Sequence, residues 1–245
     1  MQPIRKHDEA VTEGKPGEGA DAPGANGHPA RAVRLKPGER RVHILQTLAA
    51  MLEAPKNEKI TTAALAARLS VSEAALYRHF ASKAQMFEGL IEFIEHTLFG
   101  LINQIVAKEP NGVLQARAIA MTLLSFSAKN PGMTRVLTCE ALVGEHERLT
   151  ERVNQMLERI EASLKQCLRV GLMEANAQQA PQASDAVPLH AKRESAVPLP
   201  ADYDPAVRAN LLLSYIIGRW HRYVRSGFAR APGEHADAQL LLILQ

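Results

Sequence analysis

The stretch that decides the fold is residues 60–83, Ile-Thr-Thr-Ala-Ala-Leu-Ala-Ala-Arg-Leu-Ser-Val-Ser-Glu-Ala-Ala-Leu-Tyr-Arg-His-Phe-Ala-Ser-Lys. Three hydroxyl residues in it, Thr61, Ser72 and Ser82, are placed where a side-chain oxygen can cap the first free backbone N–H groups of a helix. Three caps so close together predict two short helices, a tight turn and the start of a longer helix. This arrangement is a helix–turn–helix motif over residues 61–80.

The second helix of such a motif lies in the major groove of DNA, and it must bury one face while offering polar groups on the other. Leu76 and Phe80 are four residues apart and are expected to face the protein interior. The residues predicted to contact DNA are Thr61, Thr62, Ser72, Glu73, Ala74, Tyr77, Arg78, His79 and Lys83. Thr61, Thr62 and Lys83 lie at the starts of helices and are expected to contact phosphates.

These side chains also have purely structural interpretations. Thr61 caps a helix whether or not it touches a phosphate. His79 could instead be a surface histidine that packs on Tyr77. Arg78 could form an ion pair with Glu73 or Glu88. The prediction of DNA binding therefore rests on the assembly of residues, and the sequence of the DNA site does not follow from it.

Positive charge is concentrated around the motif. Residues 34–83 carry nine Lys or Arg and four Asp or Glu, a net charge of +5. Residues 84–245 carry sixteen Lys or Arg and seventeen Asp or Glu, a net charge of −1. A basic segment beside a nearly neutral remainder favours a polyanionic partner. Double-stranded DNA is the polyanion that agrees with the motif.

The whole chain has the composition of a globular protein, with 245 residues, 46% of them hydrophobic and 22% charged. The amino terminus has no apolar signal-peptide core, and no apolar run reaches the length of a membrane span. We therefore expect a cytoplasmic protein with no membrane partner. Cys139 and Cys167 lack the spacing of metal ligands and are expected to be buried and reduced. No cofactor is predicted.

Helical periodicity continues through most of the chain, and no segment has a convincing strand pattern. The predicted helices are 37–54, the two of the motif, 83–106, 113–129, 131–143, 145–174, 205–226 and one from about 234. The fold class is therefore all-α, with about nine helices. The predicted domains are a disordered tail at 1–36, a three-helix DNA-binding domain at 37–85 and a helical dimerisation and partner-binding domain at 86–245, with a flexible insertion at 175–204.

Apolar residues near the carboxyl terminus predict self-association. The residues predicted for the interface are Leu212, Tyr215, Ile216 and Trp220 on the eighth helix and Leu241 and Leu244 on the last. Two such helices from each subunit would form a four-helix interface. A helix–turn–helix homodimer presents two recognition helices to a palindromic DNA site. Arg219, Arg222 and Arg225 are expected to form a solvated face beside this interface.

Residues 69–83 resemble the DNA-binding signature of the TetR-type regulators, and the resemblance covers about residues 37–85. It implies the fold of that family, an amino-terminal helix–turn–helix domain followed by a helical domain. Two positions depart from the pattern. Ser70 stands where the family usually has Gly in the turn, and a left-handed conformation there would cost about 1 kcal/mol. Ala81 replaces the usual Pro.

Further blocks resemble the nucleoid occlusion factors within that family. They are residues 72–80, 90–95, 130–138, 158–162 and 223–226. The resemblance implies a dimer that binds chromosomal sites and is associated with the nucleoid. It also implies that the DNA-bound dimer antagonises FtsZ polymerisation, so that the division septum does not close over the nucleoid.

The same resemblance implies that the FtsZ tail binds a groove formed by the fourth and fifth helices. Phe93 and Asn130 match that surface, and Lys129 keeps a positive charge suited to an acidic tail. Leu101 is apolar where the family can carry a basic residue. From periodicity alone, Phe93 is equally well explained as part of a second core face.

Two other classes of function remain open at this stage. A ligand-responsive repressor with the same fold would need an enclosed pocket among the helices of the second domain. For an enzyme, the sequence offers no nucleophile elbow, phosphate-binding loop or His-Glu-x-x-His pattern. Glu92, Glu95 and His96 could suggest a metal site, but one helix without a matching second motif is weak support. No catalytic residue and no metal ligand is predicted.

Overall fold

The computed structural model describes residues 37–54, 60–179, 199–200 and 202–245. Within these residues the chain is helical, with no strand, which confirms the predicted all-α fold. The helices are α1 Pro37–Met51, α2 Thr62–Arg68, α3 Glu73–Tyr77, α4 Lys83–Lys108, α5 Gly112–Lys129, α6 Pro131–Leu137, α7 Glu147–Gln179, α8 Pro205–Arg225 and α9 Ala236–Leu244. A 3₁₀ turn at Glu140–Leu142 lies between α6 and α7.

Three helices end three or more residues from their predicted bounds. Helix α1 stops at Met51 rather than at residue 54. Helix α6 stops at Leu137 rather than near residue 143, because Cys139 adopts a left-handed conformation with φ of 59° that a helix does not continue through. Helix α7 continues to Gln179, into the predicted insertion. Residues 180–198 of that insertion and the predicted tail at 1–36 lie outside the described residues.

The predicted caps account for the helix–turn–helix. The hydroxyl oxygens of Thr61, Ser72 and Ser82 each accept a hydrogen bond, 3.1 to 3.2 Å long, from a backbone N–H three residues further on. Each of these bonds satisfies a donor that the first turn of a helix leaves free. Ser70, in the turn between α2 and α3, has φ of 53°. This is the left-handed conformation for which a glycine would be better suited.

Helix α4 runs from the helix–turn–helix into the helical body of the molecule. Its apolar stripe includes Leu90, Ile94 and Leu98, which are 0% exposed, and the helix packs against α5 and α7. Among the described helices, α4 is also the one whose length and composition would suit a membrane span, which the apolar runs of the sequence did not indicate. The buried stripe accounts for part of the hydropathy of α4, because 28% of the apolar window is buried inside the molecule.

Helix α6 joins the helix–turn–helix to the body. Gly132 lies so close to α1 that an added Cβ atom would stand 1.9 Å from the carbonyl oxygen of Ala49. Arg135 is 7% exposed, and its Nη1 donates to the carbonyl oxygens of Leu52 at 3.0 Å and Ala54 at 2.8 Å. Arg135 therefore places a positive charge on the carboxyl end of α1, where the helix dipole is negative.

Candidate DNA-binding face and partner groove

Helix α3 presents two different faces. Leu76 and Phe80 are 1% exposed inside the three-helix unit, as their spacing predicts. Tyr77 is 46% exposed, and Arg78 is also exposed. Ala74 is exposed too, and its small side chain lets another surface come close to the helix backbone. The helix thus buries the predicted face and leaves a polar one open.

Three polar side chains connect the start of α2 to α3. The Thr62 hydroxyl donates to Glu73 Oε2 at 2.6 Å, and the Tyr77 hydroxyl donates to Thr62 Oγ1 at 3.5 Å. The 2.6 Å bond orients Glu73 before any ligand arrives, whereas the Tyr77 contact is long and weak. Because Glu73 is negative, its carboxylate is suited to accept from a cytosine amino group in the major groove and is not suited to approach a phosphate.

Thr61 and Ser72 use their side-chain oxygens as helix caps, and both residues are exposed. A capping hydroxyl accepts one backbone N–H and still carries its own hydrogen, which it can donate to a phosphate oxygen. The structural and the DNA-contact interpretations of Thr61 and Ser72 are therefore compatible.

Arg41 of α1 is not among the predicted site residues, yet it contacts and stabilises the end of α3. Its Nη1 donates to the carbonyl oxygen of His79 at 3.0 Å, and its guanidinium carbon lies 4.2 Å from the centre of the Phe80 ring. His79 itself is half-buried. The only sequence signal for this contact is the position of Arg41 beside Arg40 near the start of the first helix.

The two cations predicted to face DNA differ in their surroundings. Lys83 forms a half-buried salt bridge with Glu145, so its charge is already compensated. Arg78 has no ion-pair partner among the residues that the structure describes. Of the carboxylates considered for it, Glu88 pairs with Arg148 instead, at 2.7 Å. Within the described ranges, Arg78 is therefore the cation at this end of α3 that has no ion-pair partner.

A groove of about 470 Å³ lies between α4 and α5. The residues that line it are Leu101, Met121, Thr122, Ser125, Phe126, Lys129 and Asn130. Phe126 is 8% exposed, whereas Ser125 and Lys129 are exposed. Two of the three residues predicted for the partner, Lys129 and Asn130, are therefore brought together in one groove.

The sequence does not single out the four middle residues of the groove, Met121, Thr122, Ser125 and Phe126. Their spacing of three and four places them on one side of α5, but an amphipathic helix has such a side whether or not it binds anything. The groove becomes visible only when the packing of α4 against α5 is known.

Phe93 does not line this groove. It is half-buried and packs against the hydrophobic core, so it is both partly exposed and in contact with the core. Leu101 does reach the groove and makes its α4 side apolar. Asn130 turns its amide back, and Nδ2 donates to the carbonyl oxygen of Phe126 at 2.8 Å. It therefore closes the end of α5 and gives α6 no side-chain cap.

Four of the six residues predicted for a dimer interface lie inside the core of their own chain. Leu212, Ile216 and Trp220 are 0% exposed, and Leu244 is 4% exposed. This burial corrects the prediction for them, because a side chain covered by its own chain has no surface left for a second copy. Of the other two, Tyr215 is half-buried and Leu241 is 50% exposed. The exposed apolar residues of α8 and α9 are Val207, Leu211, Leu241 and Leu242.

The arginines of α8, which the sequence suggests form one solvated face, separate into two groups. Arg219 is 8% exposed, and its guanidinium donates to the carbonyl oxygens of residues 231, 232 and 234, which corrects the prediction for this residue. It anchors the loop before α9. Arg222 and Arg225 are exposed, as predicted.

The cleft on the other side of α4 holds ion pairs. It has a volume of about 360 Å³ and includes Glu92, Glu95 and His96 in its lining. Glu95 pairs with Arg152 at 3.2 Å and also with Arg159. In the described part of the chain, no group of three metal-ligating side chains is arranged to hold an ion.

Comparison with known proteins adds two levels of relationship. Residues 58–90 match the family model described as bacterial regulatory proteins, tetR family, and residues 111–197 match the SlmA-like model described as tetracyclin repressor-like, C-terminal domain. The chain is 50% identical over 200 residues to the nucleoid occlusion factor SlmA of Idiomarina loihiensis, covering 82% of this chain and 91% of that protein. It is 44% identical over 205 residues to the nucleoid occlusion factor SlmA of Alteromonas mediterranea, covering 84% and 94%.

Solved structures resemble the fold at low sequence identity. A TetR-family transcriptional regulator from Agrobacterium tumefaciens matches with a TM-score of 0.63 and 14% identity, covering 84% of this chain and 98% of that one. The transcriptional regulator FadR from Bacillus subtilis, solved in complex with stearoyl-CoA, matches with a TM-score of 0.62 and 11% identity, covering 83% and 97%. At such identities the likeness concerns the fold alone, and it confirms the predicted TetR-like architecture.

Proposed function

Because this chain belongs to the SlmA family of TetR-type, DNA-binding nucleoid occlusion factors, we propose that it binds palindromic chromosomal sites as a homodimer and, while bound, antagonises FtsZ polymerisation. The protein then acts in the cytoplasm at the nucleoid and keeps the septum from closing over it. It does so by binding alone, without a catalytic step. Three surfaces support the proposal: the open face of α3, the α4–α5 groove and the exposed apolar residues of α8 and α9.

The open face of α3 supports DNA binding. Glu73 is oriented by its hydrogen bond with Thr62, so little of its rotamer freedom is lost when a base pair is contacted, and the exposed Tyr77 lies on the same face. Arg78 is exposed and unpaired among the described residues, which leaves its guanidinium available to a guanine or a phosphate. The separation of a buried apolar face from this polar face is the observation that carries the DNA-binding part.

The α4–α5 groove supports binding of an extended, acidic segment such as the FtsZ tail. Leu101 and Phe126 offer apolar contacts, while the hydroxyls of Thr122 and Ser125 can bond to the backbone of a bound peptide. Lys129 is the one cation in the lining, and it is exposed. With Leu101 apolar, the charge attraction inside the groove itself depends on Lys129.

The exposed apolar residues of α8 and α9 support homodimerisation. Val207 is 62% exposed, Leu211 47%, Leu241 50% and Leu242 74%. Apolar side chains this open, on two neighbouring helices, are typical of a surface that another protein covers. A symmetric dimer through this surface carries two helix–turn–helix motifs and therefore suits a palindromic site.

Sedimentation of FtsZ polymers tests the proposal. Purified FtsZ and GTP are mixed with the protein, with and without a duplex that the protein has itself selected from a random library, and the pelleted FtsZ is measured. We expect the pelleted FtsZ to fall only when the duplex is present. Unchanged FtsZ sedimentation with the duplex bound would exclude FtsZ antagonism.

Variants separate the surfaces in the same assay. Ser125→Trp fills the groove and Lys129→Glu reverses its charge, and both are expected to keep duplex binding and to lose the effect on FtsZ. Arg78→Ala is expected to lose both activities. Lys165→Glu on α7 is the control for the charge reversal at residue 129. If the two groove variants act on FtsZ like the unmodified protein, the groove is not the FtsZ site.

The alternative function is a ligand-responsive repressor. Mapping the chromosomal sites that the protein binds distinguishes it from nucleoid occlusion. Both of the depressions described above, the α4–α5 groove and the cleft beside Glu95, are open to solvent rather than enclosed. Many bound sites that are absent near the replication terminus would agree with division control. A single site at a promoter would identify a repressor and contradict nucleoid occlusion.

A further inference from the structure

Helix α8 carries a stripe of exposed residues along its whole length. The α8 stripe consists of Asp204, which caps the helix, and Val207, Leu211, Ser214, Gly218, Arg222 and Arg225, all of them exposed. Successive members are three or four residues apart. Apart from the two consecutive steps of four at residues 214–222, this is the alternating spacing of a and d positions, which form the seam between two packed helices. Here the seam faces outward and has no partner within the described chain.

The chemistry of the α8 stripe changes along the helix, so that a second copy running in the opposite direction would be complementary to it. The start is acidic and then apolar, the middle is small, and the end is basic. We infer that the α8 stripe pairs with the α8 stripe of a second copy in an antiparallel register centred between residues 214 and 215. In this register Arg225 meets Asp204 of the partner subunit, and Leu211 meets Gly218 of the partner subunit. The inference rests on the homodimer proposed above and adds its register and the role of the arginines.

The two ends of the stripe have free charges. Asp204 uses Oδ1 to accept from the backbone N–H of Ala206 at 2.7 Å, so its second carboxylate oxygen remains available. Arg225 has no carboxylate partner among the described residues. By contrast Arg208 and Arg219, on the side of α8 that faces α9, donate to backbone carbonyls of their own chain. The arginines of α8 are thus divided into an internal pair and an outward end that a carboxylate from another chain can meet.

The middle of the stripe allows two helices to approach closely. A Cβ atom added to Gly218 would meet no atom within 4 Å, so the backbone there is open. Leu211 is 47% exposed, and in the antiparallel register it covers the partner's Gly218. Large residues facing small ones across a helix pair give interdigitated packing. The α8 seam therefore combines a close central contact with charged ends.

Helix α9 widens the surface on one side of the stripe. The Tyr215 hydroxyl donates to Gln239 at 2.8 Å, and Arg208 Nη1 donates to the carbonyl oxygen of Ile243 at 2.8 Å, so α9 lies beside the first half of α8. Leu241 and Leu242 are exposed there. A second α8 entering antiparallel along the stripe would cover part of this apolar surface and bury it.

The charges select the direction of pairing. In a parallel pair, Arg222 and Arg225 would face the same two arginines, and Asp204 would face the same aspartate. Like charges across a contact are unfavourable and so act against that arrangement. An acidic peptide or a DNA backbone could use the arginines, but neither accounts for the acidic and apolar start of the same stripe. A second copy accounts for all of it.

A charge cycle measured by sedimentation equilibrium on the full chain tests the register. Arg225→Glu places a carboxylate against the partner's Asp204 and is expected to raise the dimer Kd about tenfold. Asp204→Asn keeps the helix cap but removes the charge, and about a threefold rise is expected. The double variant lacks the repulsion, so its Kd should fall below that of Arg225→Glu alone. Arg169→Glu on α7, a charge reversal at an exposed site, should change the Kd less than about twofold.

Disulfide cross-linking tests the relative direction of the two α8 helices independently. In a Cys139→Ser background, Ser214→Cys at the centre of the register should cross-link to its own copy on oxidation, whereas Arg225→Cys should not. Cross-linking at both positions would indicate parallel pairing and overturn the inference.

The outcomes distinguish this register from the dimer itself. Leu211→Glu could dissociate the dimer while the fold-changes in Kd caused by the Asp204 and Arg225 substitutions simply multiply in the double variant. In that case this surface is the dimer interface, but the proposed register is wrong. If Leu211→Glu and Arg225→Glu both leave the Kd unchanged, this surface is not the dimer interface. If Arg225→Glu weakens duplex or FtsZ binding while the dimer is unaffected, the stripe serves that partner and the inference fails.

Discussion

The helix–turn–helix and the α4–α5 groove are built in different ways. The first lies in one stretch, residues 60–83, in which each hydroxyl cap bonds only three residues ahead. The second brings Leu101 of α4 beside Phe126 of α5, so its shape depends on how two long helices pack. The helix caps of the DNA face therefore follow from short-range contacts, although Arg41 of α1 also bonds to the end of α3. The groove exists only when the helical body is assembled.

The two regions meet at α6. Asn130, which lines the groove, directly precedes this helix, and Gly132 and Arg135 within it contact the end of α1. Substitutions at α6 can break the connection between the regions. Substitutions in the turn or at the end of α3 should affect the helix–turn–helix alone and leave the groove unchanged.

Gly132→Ala should have the largest effect, because it breaks the connection itself. The new Cβ would stand 1.9 Å from the carbonyl oxygen of Ala49, so α6 and α1 must move apart. We expect the free energy of unfolding to fall by about 3 kcal/mol. Urea unfolding followed by circular dichroism measures this, and duplex binding should weaken in parallel because α1 supports α3.

Two other glycines serve as controls for that variant. Gly112→Ala clashes within the body, 2.2 Å from the carbonyl oxygen of Cys167, and should destabilise without acting at the α1 contact. Gly100→Ala meets no atom within 4 Å and should raise helix stability by up to about 1 kcal/mol. If Gly132→Ala unfolds like Gly100→Ala, α6 and α1 are not held together and the two regions are independent.

Arg135→Met should weaken the same connection without a clash. It removes the hydrogen bonds to Leu52 and Ala54 and leaves two carbonyl groups without their charged donor. We expect the free energy of unfolding to fall by about 2 kcal/mol. Faster amide exchange in the last turn of α1 should accompany the loss. Arg169→Met, at an exposed site on α7, should stay within about 0.5 kcal/mol of the unmodified protein.

The contrast between the regions also explains what the sequence could predict. Each of the three caps depends on a backbone N–H three residues ahead, and Leu76 and Phe80 are four residues apart, so spacing and propensity were enough to predict them. The order and number of helices followed from periodicity for the same reason. The left-handed Ser70 was expected only from the family resemblance, which has a glycine at this position. The end of α6 was not predicted, because a cysteine such as Cys139 gives no sign in the sequence that it adopts a left-handed conformation.

Long-range contacts explain what the sequence missed. Periodicity identified Leu212, Ile216 and Trp220 as an apolar face, but it could not tell an internal neighbour from a second subunit. Lys83 looked free because Glu145, 62 residues away, is not visible in any local pattern. Arg135 was missed because it bonds to carbonyl groups more than 80 residues earlier.

Arg78→Met and Lys83→Met compare how much an unpaired cation and a paired cation contribute to duplex binding. Arg78 has no partner among the described residues, so its loss should weaken duplex binding about ten- to a hundredfold. Lys83 is already paired with Glu145, so its loss should weaken binding by less than about threefold. Fluorescence anisotropy at one fixed salt concentration measures both. Equal losses would mean that Lys83 leaves Glu145 when DNA binds.

Ser70→Gly should have the smallest effect and the opposite sign. Ser70 has φ of 53°, and glycine reaches this conformation without the steric cost that a side chain carries. Part of that gain is offset because glycine also makes the unfolded chain more flexible. We expect the free energy of unfolding to rise by about 0.5 kcal/mol. Ser72→Ala, two residues away, removes a cap and should lower it by about 1 kcal/mol. A Ser70→Gly variant less stable than the unmodified protein would contradict local strain in the turn, because the helix–turn–helix would then depend on a contact of the Ser70 side chain.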